Sequence, residues 1–155
     1  MDNVFNFIID ARKAFIELID SLSIEELNEI PAGFNNNIIW NFGHIVVSTQ
    51  GLCYLRTGIQ SDTSSVKYLS AYAKGTKPSY TVDAEEVADL RALALSTIQQ
   101  IHADYDKGVF AAITPFETST YKTSLNSIEE VLITTVGHDN LHFGYALAQR
   151  RALSK

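Results

Sequence analysis

Four stretches of this chain repeat apolar residues at three- and four-residue intervals, and that period leaves little room for anything but helices packed on helices. The first runs from Val4 through Phe5, Ile8, Ile9, Phe15, Ile16 and Ile19 to Leu22, with Lys13 and Glu17 placed to pair on an outer face. Ser23 followed by Glu26 has the form of a capping box and predicts a further turn or two before Pro31 and Gly33 break the pattern. A second helix is expected to start near Asn35 to Asn37 and to end near Arg56, where Thr57 and Gly58 stop it. Asp83 with Glu86 marks the third start, and Val87, Leu90, Leu93, Leu95, Ile98 and Ile101 carry it to about Tyr105, with Gly108 at its exit. Ser127 with Glu130 opens a fourth helix reaching about Arg150, whose end is matched by Arg150 and Arg151 against the negative helix terminus.

Between these helices lie one short and two long connections. The segment from Gly58 to Thr81 is long for a bundle, and Tyr68, Tyr72 and Tyr80 within it predict a loop packed on the protein. The stretch VFAAITPFETSTYKTS, rich in Thr, Phe and Tyr and broken by Pro115, reads as an irregular arm with a short extended piece. The expected fold is therefore all-α: a four-helix bundle with long crossover connections, a single domain over residues 1–155.

Composition narrows the function classes. A mean hydropathy near zero with 46% apolar and 19% charged residues is that of an ordinary globular chain. No run approaches the ~20 apolar residues of a membrane span, and Asp2 stands where a signal peptide would carry positive charge. With the single Cys53, this predicts a cytoplasmic protein with no membrane partner. A net charge of −6 lacks the Lys and Arg excess that binds polyanions, so no nucleic-acid partner is expected.

The chemistry is concentrated in histidines. His138 and His142 are four residues apart, hence about 40° apart around one helix, and can present nitrogens to a common point. His44, on the second helix, supplies a third imidazole from a facing element, the arrangement by which bundles build metal sites. Its stripe includes Trp40, Asn41 and Ser48, and the fourth-helix stripe includes Thr134 and Tyr145, so these five are candidate pocket residues. Gly43, Gly51, Gly137 and Gly144 lie beside the histidines, and close approach of helices around an ion is one reason for glycine there. Three neutral imidazoles, with no carboxylate in either stripe, would hold a divalent first-row metal and leave coordination positions open.

Other readings weigh less. HDNLH resembles the HExxH of zinc proteases, but Asp139 is one methylene shorter than the Glu base and no third ligand follows downstream. His102, beside Asp104, is expected at the surface, and Cys53, near the opposite side of its helix from His44, is expected as a buried structural thiol.

The pattern W-x-x-G-H-I at Trp40 to Ile45, followed by G-H-x-x-x-H-x-G at Gly137 to Gly144 and a basic end at Arg150 and Arg151, resembles the DinB-like superfamily, which includes bacillithiol S-transferases and mycothiol-dependent maleylpyruvate isomerases. The resemblance implies an up-down-down-up bundle, frequent homodimers, and a divalent metal (Zn, Ni, Fe or Mn) held by His44, His138 and His142. It leaves the reaction open. The expectation is a transferase joining a low-molecular-weight thiol to a small electrophilic substrate. The alternatives are a hydrolase using metal-activated water, for which no convincing general base is apparent, and a bundle that binds metal or ligand without turnover in a stress response.

Overall fold

The computed structural model describes residues 1–120 and 122–153. The four long helices expected from the apolar period are α1 (Asp2–Asp20), α3 (Ile38–Gln50), α5 (Ala84–Asp106) and α6 (Ile128–Leu153), with short helices α2 (Ile24–Asn28) and α4 (Leu69–Tyr72) between them. The caps form where the polar residues predicted them. Ser23 and Glu26 make a reciprocal capping box, Asn37 accepts from Trp40 N, and Asp83 accepts from Glu86 N. At α6, Ser127 Oγ accepts from Glu130 N, while the Glu130 carboxylate reaches back to Asn126 N instead of Ser127 N.

Helix directions follow from which residues meet. Arg12 reaches Asp139 and Phe15 packs on Phe143, so α1 and α6 run parallel. Phe15 meets Phe42 while Arg12 meets Ile45 and Thr49, so α3 runs the other way. Phe5 meets Tyr105 while Asp20 meets Arg91, so α5 is also antiparallel to α1. The bundle is up-down-down-up. Because α3 and α5 point the same way, the connection between them must travel the length of the bundle, whereas the arm from α5 to α6 leaves and returns at one end.

Two local expectations are corrected and a third is borne out. The second helix does not stay α-helical to Arg56: from Gly51 to Arg56 it winds as a π-helix, which buries Cys53 and Tyr54 while Leu52, Leu55 and Arg56 turn towards a cavity. Lys13 pairs with Asp10 at 3.6 Å and not with Glu17. The arm's extended piece is a two-residue hairpin, β1 (Phe116–Glu117) against β2 (Ser124–Leu125). Of the tyrosines expected to hold the long connection down, Tyr72 is buried, Tyr68 is half-buried and Tyr80 is exposed.

The centre of the bundle is polar at one point. Arg12, fully buried on the apolar face of α1, donates from Nε to Asp139 Oδ2 (2.9 Å) and from its two terminal nitrogens to Ala94 O (2.8 Å), Thr97 Oγ1 (3.4 Å), Ile45 O (3.1 Å) and Thr49 Oγ1 (2.7 Å). A guanidinium has five N–H groups, and five acceptors from α3, α5 and α6 meet it here. Burial pushes the Asp139 carboxyl up and the adjacent guanidinium pulls it back.

Removing one member of a buried pair strands the other's charge. Arg12→Leu is therefore expected to cost about 3–5 kcal/mol in urea unfolding, with most of it recovered in the double variant carrying Asp139→Leu as well. A single variant within about 1 kcal/mol of the parent would show that the pair does not hold the four helices together.

Candidate metal centre

His44 sits mid-way along α3, and His138 and His142 lie one turn apart on the antiparallel α6, so the crossing of two helices brings three imidazoles together. Their ring centroids form a near-equilateral triangle with sides of 5.1, 4.6 and 4.6 Å. One nitrogen from each lies within 4.8 Å of the other two, and this is the group of His, Cys, Asp and Glu able to hold a metal ion among the described residues.

The hydrogen bonds around the triangle select which nitrogen faces inward. His44 Nδ1 lies 2.7 Å from Tyr72 O; a carbonyl only accepts, so Nδ1 carries the proton and Nε2 keeps its lone pair. His142 Nδ1 lies 2.7 Å from the Asn41 side chain. The Asn41 amide nitrogen is committed to Asn37 O (2.9 Å), Gln149 Oε1 (3.0 Å) and Asn36 Oδ1 (3.2 Å), so its oxygen is the end that accepts from His142. Gln149 is itself fixed by donating to Asn36 O at 2.7 Å. His138 is different: its Nδ1 has no partner, and 4.0 Å away Asp139 Oδ1, also buried, has none either. His138 thus lacks the outer hydrogen bond that fixes the tautomer of His44 and of His142. Outer partners of this kind orient metal-binding imidazoles and raise their basicity.

Burial keeps all three rings neutral. Desolvation lowers the pKa of His44, opposed by its bond to Tyr72 and helped by the Lys74 ammonium. Desolvation, with the neighbouring His44 and Arg12 charges, brings His138 to about 4, and desolvation with His138 and His44 brings His142 to about 3. His44 and His142, with Nδ1 bonded outward, keep an Nε2 lone pair for the cluster, and with the neutral His138 beside them the three imidazoles suit a divalent first-row metal, so the residues present fit such an ion.

A cavity of about 240 Å³ opens beside His44 and His138. Its walls include Val47, Leu52, Leu55 and Leu69 together with the hydroxyls of Ser48 and Thr134, two of the five pocket candidates. Ser48 Oγ also lies 3.3 Å from His44 Nε2. Trp40 stacks on His44 at 4.8 Å and donates from its indole to Thr76 Oγ1 at 3.1 Å, so it is a wall of the histidine cluster and a strap for the crossing connection. Asn41 orients His142. Tyr145 is turned away: half exposed, it packs edge-on against Phe34 at 5.9 Å and does not line this cavity.

Among the neighbouring glycines, a methyl group at Gly43 would come within 2.6–2.7 Å of the Tyr72 ring, so the close approach there is to the crossing connection, not between helices around an ion. Gly51 and Gly144 have open space where a side chain would stand. Cys53 is buried, and burial pushes its thiol up to about 12, as a structural thiol requires. His102 stacks on Phe5 at 4.1 Å and faces Asp2 and Asp106 instead of Asp104. Arg12, Asp139, Tyr72 and Lys74 were not anticipated. For Arg12 a signal existed, since a cation between Ile8, Phe15 and Ile19 falls on the apolar stripe of α1.

The sequence profile of the DinB superfamily matches residues 8–146, which takes in most of the four long helices and all three histidines. The chain belongs to the DinB superfamily. No individually curated protein matches it in sequence. Membership in the DinB superfamily together with the clustered imidazoles fits a metal-binding protein.

Two outcomes are expected. Gly43→Ala must displace the Tyr72 ring and with it the carbonyl that orients His44. Stability should fall by about 1–3 kcal/mol and metal affinity by roughly 10–100-fold, against the small gain alanine brings to an open helix; a variant equally stable, with unchanged affinity, would contradict the packing. In the metal-free protein, unfolded imidazoles take up protons below about pH 6.5 that the folded His138 and His142 refuse until about 4 and 3. Stability should therefore fall as pH drops from about 6.5 to 4, more steeply than in a variant with all three histidines changed to Asn; equal slopes would mean the rings are not held neutral by the fold.

Proposed function

We propose that this protein is a metal-dependent enzyme that joins a low-molecular-weight thiol to an electrophilic small molecule, with His44, His138 and His142 holding one divalent ion (Zn, Ni, Fe or Mn). The observation that carries the reading is the cavity reaching His44 and His138, because a catalytic centre needs space beside its metal whereas a structural one is closed over it. When bound, the ion supplies the positive charge that keeps a coordinating thiol deprotonated near neutral pH.

The chain's own residues do the rest. Tyr72 O and Asn41 hold the His44 and His142 rings, and Ser48 and Thr134 offer hydroxyls to a bound polar group. The apolar walls exclude water from the reacting atoms. In the transfer a carbon–sulfur bond forms at the electrophilic carbon, the thiol proton passes to solvent, and the electron pair displaced from that carbon leaves with the departing group or π system. Hydrolysis is the weaker alternative: it gains most from a carboxylate base, and the cavity's described lining carries none. The same reading takes the protein as a cytoplasmic homodimer acting on small molecules, with neither nucleic acid nor membrane as partner.

Cobalt substitution tests the thiol step. Adding a small thiol such as cysteine or 2-mercaptoethanol to the cobalt protein should produce an intense sulfur-to-cobalt charge-transfer band. An unchanged spectrum at millimolar thiol would count against the transferase reading.

A further inference from the structure

The cavity beside the histidines is not electrically neutral. Among its described lining residues are two cations, Arg56 and Lys74, and no carboxylate, in a chain that carries 18 acidic against 12 basic residues. Neither cation is paired with an acid among the described residues. Arg56, at the end of the π-helix, lies 4.8 Å over the Phe116 ring and donates to Glu117 O at 3.2 Å. Lys74, just after α4, donates to Ser119 Oγ. Both are thus held by neutral groups of the hairpin arm. Other cations of the chain do face carboxylates, as in Lys67 with Asp89 and Arg91 with Asp20. Beside them Thr118 Oγ1 is buried and has no hydrogen-bond partner among the described residues, which in a native fold calls for an explanation such as a ligand. Between this rim and the two histidines the walls are Val47, Leu52, Leu55 and Leu69.

We infer that the cavity takes an amphiphilic anion: a ligand whose apolar segment lies on the leucine walls and whose terminal carboxylate is held by Arg56 and Lys74, with Thr118 and Ser119 as hydroxyl partners. Both cations are exposed at the mouth of the cavity, and two positive charges there with no acid beside them favour anions over neutral or cationic analogues of the same length, in a salt-dependent way. A cavity of about 240 Å³ has room for roughly eight water-sized groups, at about 30 Å³ each, which suits a short carbon chain with its head group. The inference deepens the proposed function, since it names the class of substrate or cosubstrate for the same cavity, but it does not need that ligand to be a thiol.

The test uses hexanoate, hexanol and hexylammonium, titrated into the protein as purified while the nitrogen-15 amide shifts of Arg56, Lys74, Ser119 and Thr134 are followed. Hexanoate is expected to saturate these shifts at about tenfold lower concentration than hexanol, hexylammonium is expected to bind more weakly than either, and added salt should narrow the gap. In the double variant Arg56→Met, Lys74→Met the preference for hexanoate should vanish while the hexanol titration stays as it was, which also shows that the cavity is still folded. Equal binding of hexanoate and hexanol to the parent protein would overturn the inference. So would a preference that survives in the double variant, because the carboxylate would then be held elsewhere, on the metal for instance. If hexanoate binds as expected but thiols leave the cobalt spectrum unchanged, the anion subsite stands and the transferase reading falls.

Discussion

A single buried guanidinium decides how the four helices sit. Arg12 reaches from α1 to acceptors on α3, α5 and α6, so no long helix can slide or rotate without leaving at least one of its N–H groups unpaired in the core. The contact to Asp139 matters most for function, because Asp139 follows His138 directly. The ion pair that ties α1 to α6 therefore stands one residue from a ring of the histidine cluster, with the second carboxylate oxygen 4.0 Å from His138 Nδ1.

The second constraint is the connection that crosses the bundle. An up-down-down-up order forces it along the full length of the helices, and the protein uses the passage to finish the site. Tyr72 offers its carbonyl to His44, Thr76 takes the Trp40 indole, and Lys74 stands between them at the cavity rim. Gly43 is what allows the strap to lie close, because the Tyr72 ring occupies the space a side chain would need. The segment is thus a structural part of the histidine cluster, although it contributes no imidazole to it.

Much of this was legible in the sequence, and the reasons differ by element. Helices with a clear apolar period and a polar cap were placed within a few residues, since local preferences and tertiary packing agree there. The three histidines could be grouped because helix geometry fixes the angle between His138 and His142, and His44 lies on the polar stripe of a second helix that a bundle can bring to face them, a set that the family resemblance then repeated. What escaped depended on long-range partners. Nothing local says that Asp139 faces Arg12, 127 residues away, or that Tyr72 lies on Gly43. The π-helix at Gly51–Arg56 left no mark in the period either, and it is the element that carries Arg56 at the cavity rim and Cys53 in the core. Tyr145 failed as a pocket residue because angular proximity to His138 and His142 on α6 does not tell how far along the axis the cavity extends; Phe34 covers that part of the helix instead.

The central claim is that three imidazoles from two antiparallel helices hold one divalent ion. The most direct measurement is metal content by mass spectrometry, on protein prepared without a histidine tag and on a variant with His44, His138 and His142 all changed to Ala. About one equivalent of a first-row divalent metal per chain in the parent and none in the folded variant is the expected result. Equal metal in both proteins, or none in the parent after exposure to zinc, nickel, manganese and iron, would contradict it.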